Sequence, residues 1–284
     1  MSVWNPGSEL TEEQKRILRA KRVEVNRPPA SLLALLGPLA DYDQKADRAR
    51  SRLGCSAGVL GLVSVIAAVI VLANGLPAIF LIAVALLVAA TVTAAILWSR
   101  LRSLDLSNNL RVFALPVLAL LSEDMEPSQP VRIRLDLSSC TARSKLTEKT
   151  EPYASGAYYK IIDSFYLDPW MEGSAPLADG SRLSWTITDR IRERKKTKRN
   201  PRGKIKTKTK HSKKSVMNVR VELPSGSYAV EAPGDADVQA GGKRNVFKLS
   251  DTVKAANLDP ISPWTFVDLV AAAYGRVAPV RRSS

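Results

Sequence analysis

The residues with the most evident chemistry are the lysines and arginines of segment 190–214. This segment contains 14 Lys or Arg and a single acid, Glu193, so it carries +13 of the chain's net charge of +15. The other 259 residues are therefore close to neutral. A local excess of this size is typical of segments that bind nucleic acid, anionic lipid or an acidic protein surface.

The pattern inside this segment predicts a β-hairpin over 182–223. Asn200–Gly203 is a turn sequence, with Pro201 at its second position and a glycine that can adopt the left-handed conformation ending a three-residue loop. We expect Arg199 to pair with the glycine at 203, because this register sets the apolar Leu183 opposite Val219 and so aligns the apolar faces of the two strands.

The same register gathers cations on one face of the hairpin. Directly opposed residues in an antiparallel pair share a face, and like charges in that arrangement destabilise the ladder. A polyanion that neutralises the charge is therefore the expected ligand. The predicted polyanion-binding residues are eight cations in two facing rows and two at the tip: Arg192, Arg194, Lys196 and Lys198; Lys204, Lys206, Lys208 and Lys210; Arg199 and Arg202.

The sequence leaves three candidate polyanions open. Anionic lipid headgroups attract each nearby Lys or Arg by about 1 kcal/mol and are the physically simplest partner for a membrane-tethered chain. An acidic protein partner fits equally well. Duplex nucleic acid is the alternative, because no aromatic residue between Trp185 and Tyr228 is present to stack on the bases of a single strand.

The tip supports the duplex alternative through a local resemblance. Arg199-Asn200-Pro201 on a basic β-ribbon resembles the DNA-binding arms of the histone-like proteins HU and IHF, over about 15 residues. The resemblance implies entry into the minor groove with a proline wedged between base steps.

No catalytic, cofactor or metal motif is evident. His211 is the only histidine, and Cys55 and Cys140 have no CxxC spacing. We expect no catalytic residues, no cofactor and no metal, and an enzyme without a legible motif is only the second alternative to the binding functions. Five carboxylates near the hairpin could supply a pair, but no motif fixes their geometry: Asp163, Asp168, Glu172, Asp179 and Asp189.

An uncharged run over 53–99 predicts a transmembrane helical hairpin. Asn74–Pro77 divides the run into spans 53–73 and 77–98, each about 31 to 33 Å long as a helix, which matches a hydrocarbon core of about 30 Å. Lys and Arg flank both outer ends and are absent from the turn, so we expect an inner-membrane protein with both termini cytoplasmic. Small residues on the first span, at Gly54, Gly58 and Gly61, are expected to pack on the second span, with oligomerisation as the other use of this stripe.

The segments next to the membrane are expected to be helical. The N-terminal segment 1–52 is cytosolic, with a capping box at Thr11–Gln14 that begins a helix running to Val25. A short apolar stretch follows and is expected to break at Gly37-Pro38. A juxtamembrane helix is expected within 100–126.

The rest of the chain predicts a cytosolic antiparallel β domain over 127–250. Its apolar residues alternate with period two from Val131 onward, and the six aromatics in 153–170 are expected to build its core. Segment 251–284 contains a last helix from Ser262 to Gly275. The expected fold is thus an α+β membrane protein with flanking helices and a polybasic hairpin, and the expected function is that of a non-catalytic anchor or scaffold.

Overall fold

The computed structural model describes residues 8–75, 77–230, 237–239 and 242–280. Two compact units share the chain. One holds the described residues up to Ala20 together with Gly37–Leu106, and the other holds Lys21–Leu36 and the described residues from Ser107 onward. The helices are α1 (Glu12–Ala20), α2 (Pro29–Ala73), α3 (Ala78–Ser103), α4 (Leu115–Asp124) and α5 (Pro263–Tyr274). The strands are β1 (Arg22–Arg27), β2 (Val131–Asp136), β3 (Leu146–Lys149), β4 (Tyr153–Ser155), β5 (Tyr158–Pro176), β6 (Arg182–Arg199), β7 (Ile205–Pro224), β8 (Tyr228–Val230), β9 (Asp237–Gln239), β10 (Arg244–Ala255) and β11 (Val277–Pro279).

The start of α1 is the predicted capping box. The Gln14 side chain accepts the Thr11 N–H at 2.9 Å, and Thr11 Oγ1 accepts the Gln14 N–H at 3.3 Å. The predicted end of this helix at Val25 is wrong, because Lys21 adopts a φ of 53° and β1 follows. Val23 and Val25 are β-branched and alternate with polar residues, a period-two pattern that suits an edge strand.

Helices α2 and α3 are both long and apolar enough to cross a membrane, judged by length and composition. The predicted span 53–73 lies inside α2, and the predicted span 77–98 lies inside α3 except for Pro77, which directly precedes that helix. Gly37-Pro38 does not interrupt α2, which contains Pro38 and continues through 45 residues, so the predicted break there is wrong. Between the helices, Gly75 has a φ of 59°, as the predicted turn requires.

Small side chains lie where α2 meets α3. A Cβ on Gly54 would meet the Trp98 side chain at 3.2 Å, and one on Gly61 would meet that of Thr91 at 3.7 Å. Ser64 Oγ also lies 3.4 Å from Thr91 Oγ1. Gly58, by contrast, has open space around its Cα. Two of the three stripe glycines thus face the second helix.

The predicted juxtamembrane helix over 100–126 is divided. Helix α3 ends at Ser103, a π-helical turn covers Leu110–Ala114, and α4 begins directly after it with Pro116 in its first turn. The proline lies just after the change from π-helical to α-helical spacing, in a helical stretch that continues from Leu110 to Asp124.

The predicted antiparallel sheet is confirmed. In the described residues nine strands form one antiparallel sheet, ordered β1-β2-β5-β6-β7-β10-β9, with β3 and β4 paired on part of β5; β8 and β11 form a separate pair. The sequence pattern did not reveal β1, β3, β4, β9 or β11, which are short or lie outside the predicted domain.

One face of the sheet carries the core. Trp185 of β6, Phe266 of α5, Phe113 of the π-helical turn and Trp170 of β5 form a chain of edge-to-face rings with centroids 5.5 to 6.3 Å apart. A bulge between Pro169 and Met171 reverses the parity of β5 and buries the consecutive Trp170 and Met171. Helix α5 lies on this face and occupies the predicted bounds, with Ser262 before it and Gly275 after it.

Candidate polyanion-binding site

Strands β6 and β7 pair along their whole length, from Arg182 with Glu222 to Arg199 with Ile205. The predicted closing pair is therefore wrong. Asn200 donates its N–H to the Lys204 carbonyl at 2.9 Å, and Gly203, at φ 76°, donates its N–H to the Asn200 carbonyl at 2.8 Å. The three-residue loop is thus Pro201–Gly203, closed one residue later on each strand than the sequence analysis expects.

The new register changes the partners of each residue but leaves its face unchanged, because the offset is an even number of residues. Leu183 faces Val221 instead of Val219, and both are buried. The cations pair as Arg194 with Lys210, Lys196 with Lys208 and Lys198 with Lys206, while Arg192 lies opposite Ser212 and Lys204 lies at the tip. We call this face of the hairpin, with its two rows of cations, the cationic face.

A buried carboxylate neutralises part of this charge. Asp163 of β5 lies opposite Arg194 and is 3% exposed. Both of its oxygens accept hydrogen bonds from Arg192, at 3.2 and 2.9 Å, and from Arg194, at 2.7 and 3.0 Å. The hydroxyl of Tyr153 donates a fifth, at 2.9 Å. The bonds to Asp163 raise the pKa of the Arg194 guanidinium. Both arginines are thus already engaged by a carboxylate of the same sheet.

Aromatic rings from β5 contact three of the same cations. The Arg192 guanidinium lies 5.7 Å from the centre of the Phe165 ring, and the ammonium groups of Lys196 and Lys198 lie 5.2 and 6.0 Å from that of Tyr158. These are cation–π distances. Of the six aromatics expected in the core, only Trp170 is fully buried, so the prediction is wrong for the other five. Phe165 precedes the bulge and lies opposite Arg192, on the cationic face.

The remaining candidate cations have no such compensation. Six of them are exposed and form no ion pair within the described part of the chain: Arg199, Arg202, Lys204, Lys206, Lys208 and Lys210. On the other face of the hairpin, Glu193 lies 3.3 Å from both Lys195 and His211. His211 is therefore paired with a carboxylate of its own sheet. The structure leaves the uncompensated charge on β7 and at the tip.

Cations from distant parts of the sequence extend the cationic face. Arg190 of β6, Lys214 of β7 and Lys254 of β10 form one row across three strands. Further along the same face, β2 contributes Arg132 and Arg134. With Arg220 and Lys248, these residues make a polar, cation-rich surface that reaches from mid-sheet to the hairpin tip, roughly 50 Å at about 3.3 Å per residue. Net charge per segment gives no signal for the cations outside 190–214, because acidic residues lie close to them in the sequence.

Four of the five carboxylates considered for catalysis have other partners, and the fifth, Glu172, is exposed. Asp168 and Asp189 are opposed on β5 and β6 and nearly inaccessible. Lys145 Nζ lies 2.7 Å from Asp168 Oδ1, and Lys213 Nζ lies 3.7 Å from Asp189 Oδ2. Burial is the main cause that raises the pKa of Asp168 to about 6. Burial also raises the pKa of the Cys140 thiol. These groups form a buried ion network beneath the sheet.

Two other carboxylate groups in the described residues also have clear neighbours. Asp179 accepts the hydroxyls of Tyr228 and Tyr274 at 2.9 and 3.0 Å. Asp43, Asp47 and Asp105 come close enough to share a cation, but Arg50 pairs with Asp47 and lies 2.7 Å from Asp105. A guanidinium therefore already supplies positive charge to that cluster.

The comparisons with known proteins supply no relative. No family model, no curated protein and no solved structure matches the chain.

Proposed function

We propose that this protein is a two-pass inner-membrane protein and that its cationic face binds an acidic surface, with anionic lipid headgroups as the ligand and no catalytic step. In this proposal α2 and α3 cross the bilayer, both termini are cytoplasmic, and the sheet domain is a membrane-attached anchor or scaffold. An acidic protein partner and duplex nucleic acid are the competing ligands.

The membrane part of the proposal rests on exposed apolar side chains, whose contact with water would be unfavourable in free energy. Leu72, Ile79 and Leu86 are 74%, 70% and 68% exposed, and they belong to a larger exposed apolar set on α2 and α3. Contiguous exposed apolar surface of this extent marks contact with lipid or protein. Arg102, at the charged end of α3, lies 5.4 Å from the Trp98 ring, an arrangement of aromatic and cation common at membrane interfaces.

The ligand part of the proposal rests on one observation, the uncompensated lysines of β7 and of the tip next to it. Asp163 holds two arginines of β6, but the facing row of Lys204, Lys206, Lys208 and Lys210 has no carboxylate partner in the described residues. Opposed like charges cost free energy in a ladder. An anionic leaflet reverses that cost, since each lysine near it gains about 1 kcal/mol.

The test uses the full chain in nanodiscs of neutral phosphatidylcholine. Binding is measured to vesicles of phosphatidylcholine alone and to vesicles with one third phosphatidylglycerol, at low and raised salt. We expect binding to the anionic vesicles only, with weakening as salt increases. The variant in which Lys204, Lys206, Lys208 and Lys210 become Gln should bind at least tenfold more weakly.

A matched control separates the cationic face from net charge. It changes four exposed cations that lie elsewhere to Gln and should leave vesicle binding within about twofold of the parent. These four are Arg16, Arg19, Arg143 and Lys149. Equal loss in both variants would refute a localised site. Tighter binding to a 30-base-pair duplex or to polyglutamate than to anionic vesicles at equal salt would replace lipid by that ligand.

Topology is tested separately with single-cysteine variants in a cysteine-free background. In sealed inner-membrane vesicles of known orientation, cysteines placed at Ser8 and Ser262 should react from the cytoplasmic side, and one at Asn74 from the opposite side. Labelling of Ser8 and Ser262 from opposite sides would refute the two-pass arrangement.

A further inference from the structure

The half of β7 nearest the hairpin tip has a strand neighbour on one side only. Strand β10 pairs with β7 from Pro224 as far as Lys213, where Ala255 ends the ladder. Residues 205–212 continue beyond that point and, within the described part of the chain, pair with β6 alone. Residues 201–210 are all exposed. We call the free side of residues 205–212 the β7 edge; a free edge of this kind can pair with another extended chain.

The closure of the hairpin shows which backbone groups point outward at the β7 edge. Hydrogen-bonded and non-hydrogen-bonded pairs alternate along an antiparallel ladder. The Asn200 N–H donates to the Lys204 carbonyl, so this pair and every second pair after it are hydrogen-bonded. The N–H and C=O groups of the odd-numbered residues therefore point away from β6, and they have no hydrogen-bond partner among the described residues. These residues are Ile205, Thr207, Thr209 and His211.

The side chains of the β7 edge differ between its two faces. The cationic face of the edge carries three lysines that form no ion pair with a described residue: Lys206, Lys208 and Lys210. Across β6 these lysines are opposed by basic residues as well. The other face has no charged side chain from Ile205 to Thr209, and Ile205 is 55% exposed. A strand added here would thus meet positive charge on one face and uncharged side chains on the other.

This charge pattern selects the kind of strand that fits. A second copy of the β7 edge would set lysines against lysines, and directly opposed like charges destabilise a ladder. A strand with a carboxylate at every second residue would instead place an acid opposite each lysine. Lipid headgroups and duplex nucleic acid are negatively charged but have no row of alternating N–H and C=O groups at strand spacing. Only an extended peptide satisfies both the lysines and the backbone groups of the edge.

We infer that the β7 edge binds an extended acidic segment of a partner protein by antiparallel strand addition, with acids at alternate positions facing the lysines. Strand β10 provides the precedent for this orientation, because it lies antiparallel on the same side of β7 and ends where the free edge begins. The added strand would cover residues 205–212, about 26 Å at about 3.3 Å per residue. The inference goes beyond the proposed function, since it assigns a ligand to the backbone groups of the edge. The two ligands share three lysines and should compete.

The test is fluorescence anisotropy with the full chain in neutral phosphatidylcholine nanodiscs. The probe is a labelled nine-residue peptide in which Thr and Glu alternate, with Thr at both ends. When the Glu residues face the lysines, the Thr residues of the peptide make the hydrogen bonds to the odd-numbered residues of β7. We expect saturable binding that N-methylation of three Thr residues weakens at least tenfold. N-methylation of three Glu residues is the matched control and should leave the affinity within about threefold, because those N–H groups point away from β7.

Two protein variants separate the backbone contribution from the charge. Thr209→Pro removes an outward N–H without taking a hydrogen bond from the ladder between β6 and β7. It should weaken peptide binding at least tenfold and leave binding to anionic vesicles within about threefold of the parent. The variant with Lys206, Lys208 and Lys210 changed to Gln should bind both ligands more weakly. Absence of saturable peptide binding, or equal affinity for the two N-methylated peptides, would overturn the inference, whereas the vesicle assay tests the proposed function independently.

Discussion

Replacing Asp163 by Asn should make the protein less stable and its cationic face a stronger polyanion binder. The carboxylate is buried and accepts four hydrogen bonds from Arg192 and Arg194. Hydrogen bonds to charged groups contribute about 1.5 to 3 kcal/mol each when fully formed. Because the two arginine side chains are 41% and 29% exposed, solvent screens a large part of that contribution. We therefore expect the free energy of unfolding to fall by about 2 to 4 kcal/mol.

The gain in binding follows from the same contacts. The substitution removes one negative charge and releases both guanidinium groups toward the ligand. At about 1 kcal/mol for each released cation near an anionic leaflet, affinity should increase by about 2 kcal/mol, or roughly thirtyfold. The assays are thermal unfolding in detergent, followed by near-ultraviolet circular dichroism, and sedimentation with vesicles containing one third phosphatidylglycerol.

Asp124→Asn is the matched control, since Asp124 is exposed and has no ion pair among the described residues. It makes the same chemical change without releasing an arginine, so both measurements should stay close to those of the parent. If Asp163→Asn retains full stability, or if its folded form binds anionic vesicles less tightly than the parent, the assignment of Asp163 as the partner of these arginines is refuted.

Three further substitutions test the packing, the buried ion network and the register. Gly173→Ala should destabilise the sheet domain by about 3 kcal/mol or more, measured by thermal unfolding, because the new Cβ would lie 2.2 Å from the Trp185 ring. Burial raises the pKa of Asp168 to about 6, so this carboxyl group holds its proton more tightly in the folded chain than in the unfolded chain. The free energy of unfolding should therefore decrease by about 3 kcal/mol as the pH rises from about 4 to above 6. Asp168→Asn should flatten this pH dependence in unfolding experiments. Cysteines at Thr197 and Thr207, which are directly paired with hydroxyl oxygens 3.1 Å apart, should form a disulfide under mild oxidation, detected by mass spectrometry.

Each of these has a control. Gly226 has open space around its Cα, so Gly226→Ala should be nearly neutral, and equal losses at both glycines would contradict the packing argument. An unfolding free energy that rises between pH 4 and 6 only in the parent would contradict the pKa shift of Asp168. Faster cross-linking of cysteines at Thr197 and Ile205, the pair that the sequence register predicts, would contradict the observed pairing.

Local patterns were sufficient for the two long apolar helices, the longer strands of the sheet and the faces of the hairpin strands. The uncharged run predicts the two long apolar helices, and the alternation from Val131 predicts an antiparallel sheet; both agree with the structure. The even-numbered cations of the hairpin were assigned to one face correctly even though the register was not. Successive side chains of a strand point to opposite faces of the sheet, so even-numbered residues share one face. Shifting the pairing of the two strands by two residues leaves each side chain on the same face.

Which residues meet across strands was decided by the tertiary structure. Asp163 neutralises Arg192 and Arg194 because β5 pairs with β6 in a register that segment charge does not reveal. The bulge beside Trp170 changes the parity of β5, so that Phe165 lies on the cationic face while Trp170 and Met171 are buried. A depression on the cationic side of the sheet is lined by residues of five strands, from Arg132 to Ser250, which are more than 100 positions apart in sequence. Neighbours of this kind depend on the order of strands in the sheet, which is set by the packing of the whole domain. A run of apolar or charged residues, by contrast, determines a helix or a strand face through the local sequence alone.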